Sequence, residues 1–255
     1  MSAPRHTKQE HGRPRKRAIL DGLRHAPRAL KHNLWANLKV VLFVLAVTLF
    51  LAVLQNMLAG KILWLDEYAY RLFVLRMRRP WLTPIMQSIS ELALPVVLLV
   101  MLLAVQAFAP GRRPGMCAAW NLIGVVILNQ VLKFIVQRPR PEGFRLIAES
   151  GYSFPSGHSM VAMAFYGLLA WMVWTYERDP FVRRTCVTGF ALVVVLVGVS
   201  RIYLGVHYAS DVIAGFCLSL AWLVFYTAVV APIFLPEKKT NLGADETSLM
   251  GKLDL

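Results

Sequence analysis

The chain has 255 residues, 57% of them apolar, and carries 28 Lys and Arg against 14 Asp and Glu, a formal net charge of +14. Several apolar runs reach about 18 residues or more, enough to cross a bilayer, so a soluble single-core domain is excluded in favour of a polytopic membrane protein. Nine of the cations lie in the first 34 residues, with no aromatic interleaving and no nucleic-acid motif, which excludes nucleic acid as a partner and points to anionic lipid headgroups. Residues 1–33 are therefore expected to be a basic cytoplasmic tail. It lacks the small-residue cleavage site of a signal peptide, while its Arg-rich, acid-poor composition leaves an organellar transit peptide as the alternative. A first span is expected at about 34–57. Residues 60–83, where Trp64, Tyr68 and Tyr70 mix with charges, read as an interfacial amphipathic segment. A second span at about 84–108 leads into the polar turn at 110–115. The third, at about 116–136, stops at Arg138-Pro139-Arg140-Pro141, where two prolines forbid continuation. After a polar connection over 137–157, the fourth span covers about 158–176, the fifth 185–203 and the sixth 211–234. Residues 236–255 form a polar C-terminal tail.

The fold class is thus all-α, with six transmembrane helices in a membrane domain over 34–235. Under six spans, the N-terminal tail, Arg112-Arg113 and Arg183-Arg184 share one side, which the positive-inside rule makes cytoplasmic. The cations of the 61–79 segment argue the other way, but the flank of the first helix outweighs them. Residues 137–157 and 204–210 then lie outside the cytoplasm, at the surface of a membrane expected to be bacterial. Whatever the sign, parity places both connections on one face.

That face collects the ionisable residues. Lys133 ends the third span and Arg140 follows seven residues later. Pro155-Ser156-Gly157-His158 opens the fourth span as a helix N-terminus whose first amides have no intrahelical partner, with Ser156 able to cap and Gly157 allowing close approach to an anion. Ser200-Arg201 ends the fifth span, and His207 stands four residues before Asp211, which on a helix puts them on one side. A carboxylate there can take the Nδ1 proton and leave Nε2 nucleophilic. Charges so near hydrocarbon are functional by default, and three cations with two imidazoles require an anionic guest such as a phosphoryl group.

Lys133-x6-Arg140-Pro141, Pro155-Ser156-Gly157-His158 and Ser200-Arg201-x5-His207-x3-Asp211 together resemble the three-part signature of the type-2 phosphatidic acid phosphatase family, which also includes the vanadium haloperoxidases. All eleven fixed positions agree in order and spacing over about residues 130–215. The resemblance implies that His207 is the nucleophile and forms a phospho-histidine, that Asp211 orients it, and that His158 protonates the leaving oxygen and then activates water. It makes Lys133, Arg140, Arg201 and the Ser156–Gly157 turn a phosphate cradle that vanadate would occupy, with no metal or other cofactor. The implied substrate is a lipid phosphate or diphosphate, with undecaprenyl diphosphate ranked before phosphatidylglycerol phosphate and phosphatidic acid. Two alternatives remain at this point, a lipid phosphotransferase using the same histidine and a non-enzymatic headgroup-binding or transport protein. The oligomeric state is not legible.

Outside the signature, Arg138 and Arg145 read as headgroup or loop charges, and Tyr152 and Tyr203 as interfacial aromatics. Glu91 is placed near enough to touch the site or pair with a loop arginine. Cys117, Cys186 and Cys217 fit no zinc or redox spacing and read as small packing residues.

Overall fold

A computed structural model describes residues 37–61, 64–109, 111, 113–142 and 145–235. Both tails, and the lipid contacts expected of the first, lie outside the described residues. By contacts the chain divides into two units, Met1–Leu42 and Phe43–Leu255. Residues 37–42 are the described part of the first unit and are helical; the site belongs entirely to the second.

Every regular element among the described residues is helical. Helix α1 covers Asn37–Leu58. The short α2, Trp64–Ala69, runs on as a π-helical stretch, Tyr70–Arg76. Then come α3 (Leu82–Glu91), α4 (Pro95–Phe108), α5 (Arg113–Val136), α6 (Gly157–Tyr176), α7 (Pro180–Tyr203) and α8 (Ala209–Phe225). A π turn, Tyr226–Val230, and a last α9, Ala231–Phe234, prolong α8. Among the described residues five helices are long and apolar enough to cross a membrane, and α3 with α4 makes a sixth if the pair counts as one span.

That pair refines the expected second span over 84–108, since α3 and α4 meet at 53°. The cause is Pro95 at the first turn of α4, which has no N–H to give and holds Leu94 extended with ψ 145°. A second refinement concerns α7, which starts five residues before the expected 185. Asp179 caps it by accepting from the Phe181 and Val182 amides at 2.7 and 3.2 Å, and Pro180 fits its first position.

The core is built around α6, which packs against α5, α7 and α8. Met160, Ala162, Ala164, Phe165 and Leu168 of α6 are fully buried on several sides of the helix, as expected when an apolar helix has no solvent or lipid face to spare. Backbones come close where side chains vanish. A Cβ on Gly124 would stand 2.3 Å from Trp222, and one on Gly198 would stand 2.5 Å from Phe216. Cys117 is buried and Cys186 and Cys217 are half-buried, all three as free thiols, consistent with packing.

The two polar connections meet, as parity requires. The Leu146 amide donates to the Leu204 carbonyl at 3.0 Å, and the Ser156 amide to the Asp211 carbonyl at 3.1 Å. Beside them α2 lays Leu65, Ala69 and, beyond it, Phe73 against Ile202, Ala209 and Val212. Its other face leaves Trp64 and Tyr68 largely exposed, in line with an interfacial segment.

Candidate active site

Helix α7 ends in a Schellman turn. Val206 N–H reaches back to the Arg201 carbonyl at 3.3 Å and Gly205 N–H to that of Ile202 at 3.0 Å, with Gly205 at φ +74° where a side chain would be strained. The turn folds His207 back over the helix end. His207 is therefore not on α8, and the expected helical pairing with Asp211 takes another form. Tyr208 is the N-cap of α8, and the Asp211 carboxylate reaches back to the Tyr208 amide at 2.9 Å in a capping box. Its Oδ2 lies 3.6 Å from His207 Nδ1, just beyond a direct hydrogen bond. Ser153 closes the gap, donating its hydroxyl to Oδ2 at 2.5 Å with Nδ1 at 3.3 Å.

On the other edge of the ring, His207 Nε2 faces Arg140 Nη1 at 3.3 Å. Arg140 is held by the carbonyls of Val206 at 3.0 Å, Gly151 at 3.0 Å and Ser150 at 2.9 Å. Arg201, 1% exposed, donates to Ser90 Oγ at 2.6 Å, while its other Nη is paired with Glu149. Glu149 also faces Arg140 at 3.4 Å, so one carboxylate joins the two guanidinium groups. The Arg201 Nε is buried without a partner among the described residues.

Ser156 is the N-cap of α6, but its side chain caps no amide; its Oγ accepts from Ser159 Oγ at 2.9 Å. This corrects the expected capping role and leaves the helix mouth to a ligand. Gly157 sits against Asn129, where a Cβ would stand 3.1 Å from Oδ1. His158 lines a cleft of about 340 Å³ with Ser90, Glu91, Glu149 and Arg201. It lies within electrostatic range of His207 and Lys133, and Lys133 within range of Arg140, Arg201 and Asp211. All eight residues singled out in the sequence thus converge at one end of the bundle.

Four further residues belong to the cluster. Arg138 is no headgroup charge: it donates to Asp211 Oδ1 at 2.5 Å and to Ser210 Oγ at 2.8 Å, pairs with Asp66 at 3.2 Å, and stacks over the Tyr208 ring at 4.0 Å. Gln137 directs it there. With φ +49° that residue ends α5 before the prolines can, and no glycine announces the turn. Ser153, Glu149 and Asp66 were equally unmarked, since none lies at a signature position. Tyr203 is also corrected, being fully buried with its hydroxyl 3.1 Å from Thr83 Oγ1 and from the Arg79 amide.

Electrostatics separate the groups outside the spans. Burial holds the His207 imidazole down to about 4, against the support of Asp211 and with Arg201 and Arg140 pushing the same way. Such a ring is neutral at physiological pH and keeps a lone pair. Burial pushes the Glu149 carboxyl up, but Arg201 and Arg140 outweigh it and keep it below the usual range. Burial also lowers the Arg140 guanidinium, with Glu149 opposing. No three His, Cys, Asp or Glu side chains gather at metal-holding distances among the described residues. A neutral imidazole beside fixed cations and a second imidazole can attack an electrophilic anion and pass a proton across it.

Comparison with known proteins gives the same direction. The sequence model of the PAP2 superfamily matches residues 114–234. The chain is 35% identical to phosphatidylglycerophosphatase B of Bacillus subtilis over 167 residues, 63% of this chain and 80% of that one. It is 29% identical to an undecaprenyl-diphosphatase of Sulfolobus acidocaldarius over 131 residues, 48% of this chain and 58% of that one. A solved transmembrane phosphatidylglycerolphosphate phosphatase of the PAP2 type, from Bacillus subtilis, superposes with a TM-score of 0.65 at 31% identity. The superposition covers 79% of this chain and 98% of that one.

Proposed function

This chain belongs to the PAP2 superfamily as an integral-membrane phosphoric-ester hydrolase, and we propose that it releases phosphate from a lipid phosphate or diphosphate through a phospho-histidine on His207. The observation that carries this reading is the orientation of one ring. His207 turns Nδ1 to Ser153 and Asp211 and presents Nε2 beside Arg140. In the first step the Nε2 lone pair forms a bond to phosphorus as the bond from phosphorus to the lipid oxygen breaks, and His158 gives that oxygen its proton. In the second step His158 takes a proton from water, the oxygen attacks, the N–P bond breaks, and inorganic phosphate leaves with His207 neutral again. Lys133, Arg140, Arg201 and the amides at Ser156–Gly157 hold the three equatorial oxygens, where charge accumulates.

The lipid tails remain in the bilayer while the headgroup enters the cleft. With the basic tail cytoplasmic and six spans, the site opens outside the cytoplasm of a bacterial cell membrane. The Bacillus subtilis relative supports phosphatidylglycerol phosphate as the first substrate to test, ahead of undecaprenyl diphosphate and phosphatidic acid. The test is phosphate release by the purified chain in detergent, with each of the three lipids and with EDTA present. Turnover of at least one lipid, undiminished by EDTA and stopped by vanadate, is expected; silence on every lipid would overturn the reading.

A pH dependence follows. Since His207 must be neutral to attack, kcat/KM corrected for substrate ionisation should rise through about pH 4 rather than about 6.5. Stability has the same sign. As pH falls from 6.5 to about 4, the unfolded imidazole takes a proton that the native site refuses, so the native state loses stability across that window. An acid limb that stays at 6.5 would contradict the burial argument.

A further inference from the structure

We propose that Asp66 and Arg138 are positioning residues of this site, a charge relay through which α2 fixes both the place and the charge of Asp211 behind His207. The inference rests on the phospho-histidine reading above. Neither residue belongs to the signature, and neither touches the cleft beside His158.

The contacts leave few degrees of freedom. Asp66 is 4% exposed although it lies on a short helix beside the exposed Glu67. Its Oδ1 accepts from the Ser210 amide at 2.7 Å and its Oδ2 from the Ser210 hydroxyl at 2.7 Å, so it sits on the first turn of α8. Oδ2 also takes Arg138 Nη2 at 3.2 Å, and Arg138 Nη1 reaches Asp211 Oδ1 at 2.5 Å. The second Asp211 oxygen is thereby left to Ser153, the Tyr208 amide and His207. Every oxygen of the two carboxylates is engaged, so neither carboxylate can rotate without losing a partner.

Charge makes the same point. Arg138 by itself would cancel Asp211 and leave the imidazole without a counter-charge as it takes up the phosphoryl group. Asp66 restores a net charge of minus one to the trio. It acts through Asp211 at the Nδ1 edge of the ring, while Arg140 stands at Nε2; Arg201 and His158 also act on His207, and Tyr70 and Tyr208 line a cleft with it and Asp66. The α2 segment thus supplies a carboxylate to a site whose recognisable motif begins only at Lys133.

Two substitutions move the charge in opposite directions. Asp66→Asn makes the trio neutral, and kcat should fall by about 10- to 100-fold with KM changed less than about twofold, as for other outer partners of reacting groups. The acid limb of kcat/KM should move to lower pH, because a negative charge near the ring is gone. Arg138→Gln leaves two carboxylates and should move that limb to higher pH. The Asp66→Asn/Arg138→Gln double variant returns the trio to minus one and should return the limb towards wild type. Asp66→Glu should recover part of the lost kcat, and Glu67→Gln, one residue along the same helix, should leave kinetics unchanged. If Asp66→Asn does not accumulate as folded protein, the upward shift in Arg138→Gln decides. Limbs that stay in place, or move the same way in both single variants, overturn the proposal. Failure of the wild type to release phosphate would instead sink the parent reading.

Discussion

Replacing His207 by Asn should reduce phosphate release from every lipid substrate by about four orders of magnitude or more. Asn fills most of the space of the ring and can still bond Ser153 and Asp211, so the buried site keeps a polar partner. It has no lone pair aimed at phosphorus. Losses on this scale are expected when a nucleophile is removed while its cradle persists, because the remaining groups still bind and polarise the headgroup. The trapped intermediate is the sharper readout. Quenching wild-type protein in alkaline detergent after mixing with phosphorus-labelled lipid should capture an acid-labile, base-stable phosphoenzyme, absent in His207→Asn. Turnover near wild type in that variant would remove the nucleophile from this account.

The second large effect belongs to His158, and it should depend on the leaving group. His158→Gln should lower kcat by about 10²- to 10⁴-fold on a lipid monophosphate, whose alkoxide leaves only with a proton. On a lipid diphosphate the leaving group is itself a phosphate of low basicity, and the first step should suffer less. The second step still needs a base for water. The variant should therefore accumulate phosphoenzyme on the diphosphate and form almost none on the monophosphate, a contrast that single-turnover quenching measures. Equal phosphoenzyme levels on the two substrates would take His158 out of leaving-group protonation.

What could be read from the residues alone divides along physical lines. Long apolar runs and the fixed spacings around Lys133, His158 and His207 can be read locally, and the structure brings those three segments to one end of the bundle. The bend before Pro95 was not foreseen because the apolar pattern continues through it; only the ring's missing N–H marks the break. Asp66 and Arg138 escaped for a different reason. A carboxylate among interfacial aromatics and an arginine among loop prolines look solvated until distant segments meet, here across 72 residues between Asp66 and Arg138. Ser153 is the clearest case, since nothing about a loop serine signals that it will fill the space between a carboxylate and an imidazole.

Glu149 gives the resting site its own occupant. Its carboxylate already spans Arg140 and Arg201, so on the proposed reading a headgroup binds there by exchange with Glu149. Replacing one single negative charge by another changes the electrostatic balance little, whereas a doubly charged terminal phosphate gains from the same two arginines. The abundant phosphodiester lipids of the surrounding leaflet carry one charge each. They meet a seat already taken by an equal, and the enzyme can stand in a sea of phospholipid without being filled by it.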